Sequence, residues 1–141
     1  MQPIDLNLRY VESVFSLEIA NASQTLVRIW STRFSLGYDS IYFLVHALNG
    51  NSCLIRRKPT IWTVNVPDFV SMQPLQIHVE KFELNDGTWE LSECSIDLHA
   101  GIDIGAVVDI ASNGDTDTYG IMTGHFESNK LQFRSLSEII N

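Results

Sequence analysis

The chain is short of the features from which function is usually read. It has two cysteines, Cys53 and Cys94, and four prolines. No apolar run approaches the roughly 20 residues that a membrane-spanning helix needs. The start, Met1-Gln2-Pro3-Ile4-Asp5, carries neither the basic nor the apolar region of a secretory signal, so a cytoplasmic protein with both thiols reduced is expected. Basic residues are scarce, 9 Lys and Arg against 17 Asp and Glu, for a net charge of −8. Phosphate backbones and anionic lipids repel such a surface, which argues against nucleic acid and membrane as partners and favours a basic protein.

Signatures of catalysis and of metal binding are missing too. There is no Gly-x-Ser-x-Gly elbow, catalytic-cysteine context or phosphate-binding glycine loop. His46, His78, His99 and His125 are scattered, and with the two cysteines they match no zinc spacing. His46 lies within an apolar run and is expected as a hydrogen-bonded core residue, whereas His78 and His99 fall on polar parities and are expected outside. Asn113-Gly114-Asp115-Thr116-Asp117 alternates oxygen ligands as a calcium loop does. However, Thr118 stands where the sixth-position glycine belongs and no glutamate follows at the twelfth. A solvated loop over Ser112 to Thr118 is expected, with no metal and no cofactor.

What the chain does have is alternation. Ile41 to Leu48 is apolar on both parities and reads as a strand buried on both faces, the element on which the rest packs. Asn49-Gly50 predicts a type I′ hairpin, with Cys53 to Lys58 returning antiparallel until Pro59. Arg56-Arg57-Lys58 there reads as an edge strand guarded by charge. Ile4 to Tyr10 is apolar on even positions and Val11 to Ile19 on odd ones, which predicts a bulge or a strand changing sheets. Leu26 to Trp30 is a strand, and Gly37 to Ser40 a turn. Trp62, Val64 and Val66 share a parity, so Trp62 is expected in the core and not on an exposed platform with Trp30 and Trp89. Asp68 to Pro74 reads as irregular. Leu75, Ile77 and Val79 then alternate on odd positions and Phe82 and Leu84 on even, with a bulge near Glu80 between them. Asn85-Asp86-Gly87 is a turn before a short strand, Thr88 to Leu91.

The longest alternation runs from Ile96 to Ile110, with Gly101 and Gly105 permitting a turn, bend or bulge within it. Asp97, Asp103 and Asp109 fall on its polar face, and their six-residue spacing is ordinary strand alternation, not a β-helix repeat. They are expected to form part of an acidic partner-binding face, joined by Asp115 and Asp117 and by Glu90 and Glu93. Tyr119 to Phe126 and Lys130 to Phe133 read as a closing hairpin, and Leu136 to Ile140 as a short helical turn. With some eight or nine strands and no long amphipathic helix, residues 1–141 are expected to form a single all-β sandwich domain.

Asn21-Ala22-Ser23, Arg28-Ile29-Trp30, Arg57-Lys58-Pro59, Trp62-Thr63, Asn65-Val66-Pro67, Asp86-Gly87-Thr88-Trp89 and the Gly120 to Asn129 stretch together resemble bacterial immunoglobulin-like β-sandwich modules. The order Cys53, Trp62, Cys94 matches the Cys…Trp…Cys order of immunoglobulin domains, though Ser92 holds the position of their tyrosine. Met122 stands where such a hairpin more often has an aromatic residue. The resemblance implies an antiparallel immunoglobulin-like sandwich with Greek-key connections and no shared activity.

A non-enzymatic protein-binding module follows as the expectation: an inhibitor or immunity protein whose acidic charge speeds encounter with a basic toxin or effector enzyme. The alternatives are a sandwich-type intracellular protease inhibitor, for which Val66 to Pro74 is the candidate loop, a structural or assembly subunit, and an enzyme. Asn21-Ala22-Ser23 also matches a glycosylation sequon, which a cytoplasmic chain would not use.

Overall fold

Short runs rich in β-branched and aromatic residues fold into strands throughout, in a computed structural model that describes residues 2–62, 65–92 and 94–140. Among these residues β1 (Ile4–Val11), β2 (Val14–Asn21) and β7 (Ile77–Phe82) form one sheet, in the order β1-β2-β7. A five-stranded sheet has the order β10-β9-β4-β5-β8, built from β10 (Gly124–Phe133), β9 (Ile102–Ile110), β4 (Ile41–Ala47), β5 (Ser52–Arg57) and β8 (Trp89–Ser92). β3 (Val27–Trp30) pairs with β6 (Phe69–Met72), and every pairing is antiparallel. Three short helices, α1 (Ser35–Tyr38), α2 (Gly114–Tyr119) and α3 (Ser137–Ile140), complete the described chain. The protein is all-β, as the alternation predicts.

Strand β4 is the middle of the larger sheet. Ile41, Phe43, Val45 and Ala47 are buried, whereas Tyr42, Leu44 and His46 on its other face are half-buried. Phe43 joins the layers: its ring centroid lies 5.4 Å from Phe15 on β2 and 5.5 Å from both Phe82 on β7 and Trp89 on β8. Tyr10 and Phe133 continue the cluster from Phe15. Burying a large aromatic side chain of this kind contributes about 1.5–3 kcal/mol.

The two sheets also meet edge to edge. β10 bulges at Ser128 and Asn129, where its register against β9 shifts. Ser128 Oγ accepts a hydrogen bond from Ala106 N–H at 2.9 Å, replacing a ladder bond. The Asn129 amide accepts from Leu8 N–H at 2.6 Å and donates to Leu8 C=O at 3.0 Å, acting as one rung of sheet between β10 and β1. Residues 124–133 are therefore one bulged strand and not the hairpin expected from Tyr119 onward.

Several other expectations change. The parity switch at Val11 is a tight hairpin turn, with Val11 opposite Val14 and both Glu12 (φ 54°) and Ser13 (φ 65°) left-handed. This is a type I′ turn built without Asn or Gly. Asn49-Gly50, which reads as such a turn, instead closes a longer loop in which Gly50 N–H bonds Ala47 C=O and Gly50 takes φ 92° as a bulge residue. Asp68 to Pro74 is not irregular, because β6 occupies its centre, and Val66, at the start of the candidate inhibitory loop, is exposed. The chain turns at residues 97–100, where Ala100 N–H bonds Asp97 C=O, and only 102–110 form a strand. The polar stretch at 112–118 holds helix α2. Asn113 caps it by accepting from Thr116 N–H at 2.9 Å, Thr116 Oγ1 accepts from Asn113 N–H in return, and Gly120 ends it at φ 65°.

Trp62 is half-buried at the periphery, its ring 5.4 Å from Tyr38, and Val66 is 64% exposed. The shared core face proposed for them is therefore not formed; Val64 lies outside the described residues. Trp30 and Trp89 are buried, which removes the exposed platform. β5 is interior to its sheet, so its arginines guard no edge. Arg57 stacks on Trp89 and Tyr38 at 4.7 and 4.8 Å, and Arg56 on Tyr42 at 4.2 Å. His46 is half-buried and makes no side-chain hydrogen bond among the described residues.

Cys53 and Cys94 form a disulfide, which overturns the expectation of two reduced thiols. β5 lies beside β8 with Leu54 opposite Ser92, so the chain leaving β8 is carried past Cys53. With the two positions 41 apart in sequence, the bond contributes about 4 kcal/mol on a chain-entropy account.

Two measurements test this framework. Protein alkylated during lysis and then denatured should take up no thiol label, and reduction should lower its unfolding free energy by about 3–4 kcal/mol. Two labels on freshly trapped protein, or a denaturation midpoint indifferent to reductant, would contradict the bond. Replacing Glu12-Ser13 by Asn-Gly should stabilise the protein by about 1 kcal/mol through relief of left-handed strain, raising the melting temperature by a few degrees. An unchanged or lower melting temperature would show that the turn is not strained.

Candidate functional site

Opposite the core, the five-stranded sheet turns a second face outward, and on it the cross-strand register assembles a polar cluster. Val107 on β9 lies between Tyr42 on β4 and Glu127 on β10, and is itself buried although it belongs to this outer face. The Arg56 guanidinium covers the Tyr42 ring, and Arg56 stands opposite Glu90 on β8. One step along, Asp109 faces His125. Tyr42 donates its hydroxyl proton to Asp109 Oδ2 at 3.5 Å, His125 Nδ1 lies 3.5 Å from the same oxygen, and His125 Nε2 lies 3.2 Å from Glu127 Oε2. Five strands thus contribute Glu90, Arg56, Tyr42, Asp109, His125 and Glu127 to one patch.

The phenol of Tyr42 is held above its ordinary value of 10.0, first by burial and next by the Asp109 carboxylate, with Arg56 opposing. His125 is half-exposed between two half-exposed carboxylates. The patch therefore offers aromatic surface, a stacked cation and several acceptors on an open sheet. Such an array suits recognition of another surface by hydrogen bonds and ion pairs.

The structure disperses part of the expected acidic face. β9 is unbroken, so Asp103 and Asp109 share a face about 20 Å apart at a rise of 3.3 Å per residue. Gly105 does not bend it; the bulge sits opposite, on β10. Asp103 stands across from His46 and Gln132. Asp97 lies before the strand in a turn, where its Oδ1 accepts from His99 N–H at 2.9 Å. Asp115 and Asp117 occupy the first turn of α2, where carboxylates offset the positive helix end. Glu93 lies outside the described residues. Only Asp109 and Glu90 of the expected set belong to the cluster. Tyr42, Arg56, His125 and Glu127 enter it through register, and alternation within one strand carries no signal for that. Among the described residues no three His, Cys, Asp or Glu side chains converge as ligands for a metal ion.

A raised Tyr42 pKa makes a signed prediction. The folded state holds the phenol proton more tightly than the unfolded state, so this stabilisation is complete below the ordinary phenol value of 10.0 and is lost as pH rises through the raised value. Spectrophotometric titration should show one tyrosine ionising late, absent in Tyr42→Phe and shifted toward the ordinary value in Asp109→Asn. A late phase that persists in Tyr42→Phe would assign the shift elsewhere. No family model, curated protein or solved structure matches this chain, so its function is to be read from this face and from the fold that presents it.

Proposed function

We propose that the protein is a non-enzymatic binding module with an immunoglobulin-like sandwich, which holds a basic protein partner on the outer face of its five-stranded sheet, as an inhibitor or immunity protein holds the cationic cleft of an enzyme. The strand orders support the fold reading. Lettered along the chain, β1, β2 and β7 take the places of strands A, B and E, and β10, β9, β4 and β5 those of G, F, C and C′. β8 beyond β5, and a disulfide placed away from the B and F positions, depart from that pattern.

The observation that carries the functional reading is the pairing of Tyr42 with Arg56 inside a group of carboxylates, Asp109, Glu127 and Glu90. Tyrosine and arginine are, with tryptophan, the residue types enriched where binding energy concentrates. Carboxylates around them steer a cationic partner more than they hold it, and the net charge of −8 acts in the same direction. The Cys53–Cys94 disulfide favours an oxidising compartment over the reducing cytoplasm as the place of work.

The test uses in-cell cross-linking from a photoreactive residue at Arg134, which is exposed and outside the patch, to identify the partner, followed by binding kinetics. Asp109→Asn with Glu127→Gln should slow association at low salt, with the difference vanishing at high salt. Tyr42→Ala should instead speed dissociation by about 10-fold or more, as truncation of a buried anchor does. Unchanged kinetics in folded variants would remove this face from binding, and a partner with an acidic contact surface would overturn the charge argument.

A further inference from the structure

The smaller sheet has an edge that the fold leaves open. Its first strand, β1, is covered by Asn129 of β10, but β7 at the other end pairs, among the described residues, only with β2. The hydrogen-bond pattern shows which backbone groups remain. Asn21 N–H bonds Gln76 C=O at 3.0 Å, and in the same register Ile19 faces His78, Leu17 faces Glu80 and Phe15 faces Phe82. Bonded and non-bonded pairs alternate in an antiparallel ladder, so His78, Glu80 and Phe82 bond toward β2. The N–H and C=O groups of Ile77, Val79 and Lys81 point to the free edge, where none has a backbone partner among the described residues. A groove lies between this edge, at His78, Val79 and Glu80, and the residues Ser31, Arg33, Asp68 and Val70, so that no strand is packed directly on Val79 among the described residues.

The side chains on this edge are unusual for an unpaired strand. Leu75, Ile77 and Val79 are exposed by 87, 58 and 43%. Natural edges are normally kept short or guarded by charge, since a flat apolar edge is a template for another strand. β8, which among the described residues is the outer edge of the larger sheet beyond β5, has only four residues and exposes Glu90.

We propose that β7 is the dimer interface, pairing antiparallel with β7 of a second copy of this chain about a two-fold axis at Val79. The charges favour that register over those centred on either neighbouring residue. Centred on Val79, His78 falls opposite the second copy's Glu80 and Glu80 opposite its His78, and the two groups already approach within 2.8 Å inside one chain. Centring on Glu80 would set the two glutamates face to face, and centring on His78 the two histidines, and like groups directly opposite are destabilising. In the favoured register Val79 meets Val79 on the outer face, and Ile77 lies against the aliphatic stem of Lys81. The backbone bonds then form a reciprocal pair at Val79 and reciprocal pairs between Ile77 and Lys81 on either side. The two-fold operation uses the edge on both copies, so assembly closes at two.

Sedimentation velocity of the intact, oxidised protein from low micromolar to near-millimolar concentration tests this. The mass should move from monomer to dimer and stop there. Val79→Pro removes an N–H that faces the free edge and spares the ladder to β2, so it should stay monomeric with an unchanged β-sheet circular dichroism spectrum. Val79→Lys, at an exposed position, should do the same if the proline variant misfolds. Monomer at every concentration, a dimer indifferent to both variants, or growth beyond two copies would overturn the proposal.

Discussion

Phe43 against Phe15 is the contact on which the rest of this structure depends. Phe43 sits at the middle of the middle strand, and its ring is within 5.5 Å of aromatic side chains from β2, β7 and β8. Protein interiors are packed as densely as organic crystals, so a ring at such a junction fixes the spacing of both layers at once. The next residue back is Tyr42. Successive side chains on a strand point to opposite faces, so the anchoring of Phe43 in the core also sets where the Tyr42 phenol stands on the outside. The outer cluster is in this sense the reverse side of the core.

Alternation made the strands legible, but it does not say which face goes in. For β4, expected to be buried on both faces, only the face of Ile41, Phe43, Val45 and Ala47 is buried, and the Tyr42, Leu44 and His46 side is half-buried. For β7 it decided everything. Ile77 and Val79 look like the buried set, yet the register against β2 places His78 opposite Ile19 and Phe82 opposite Phe15, so the even residues face the core. The expected bulge near Glu80 is not needed, since the register runs unbroken from Ala20–Ile77 to Phe15–Phe82. The inward side of an edge strand is chosen by its neighbour, and a single strand's pattern cannot report that. Turns failed for a related reason. Asn49-Gly50 has the composition of a type I′ turn and Glu12-Ser13 does not, but the flanking pairing sets the loop length and with it the backbone angles demanded.

The candidate site was legible only in part, for the same physical reason. Asp109 and Glu90 are readable as outward-facing carboxylates from their own strands. That Tyr42, Arg56, His125 and Glu127 stand beside them follows from pairings among five strands, which link positions up to some 85 residues apart in sequence. Asp97, by contrast, belonged to the same sequence pattern and was separated by a turn at residues 97–100 that the alternation did not reveal.

Side-chain amides finish what the ladders leave undone, and this bears on the sequon at Asn21-Ala22-Ser23. Asn21 is fully buried, and both protons of its amide are committed, one to Thr25 C=O and one to Met72 C=O, each at 2.8 Å. Its Oδ1 accepts from the backbone and the hydroxyl of Ser23. A glycan on this nitrogen would need the amide in solvent and would remove a donor from a carbonyl with no water to replace it. The sequon triplet is therefore a folding device: a buried hinge of hydrogen bonds at the end of β2 that ties the loop before β3 to β6, whichever compartment the disulfide places the chain in.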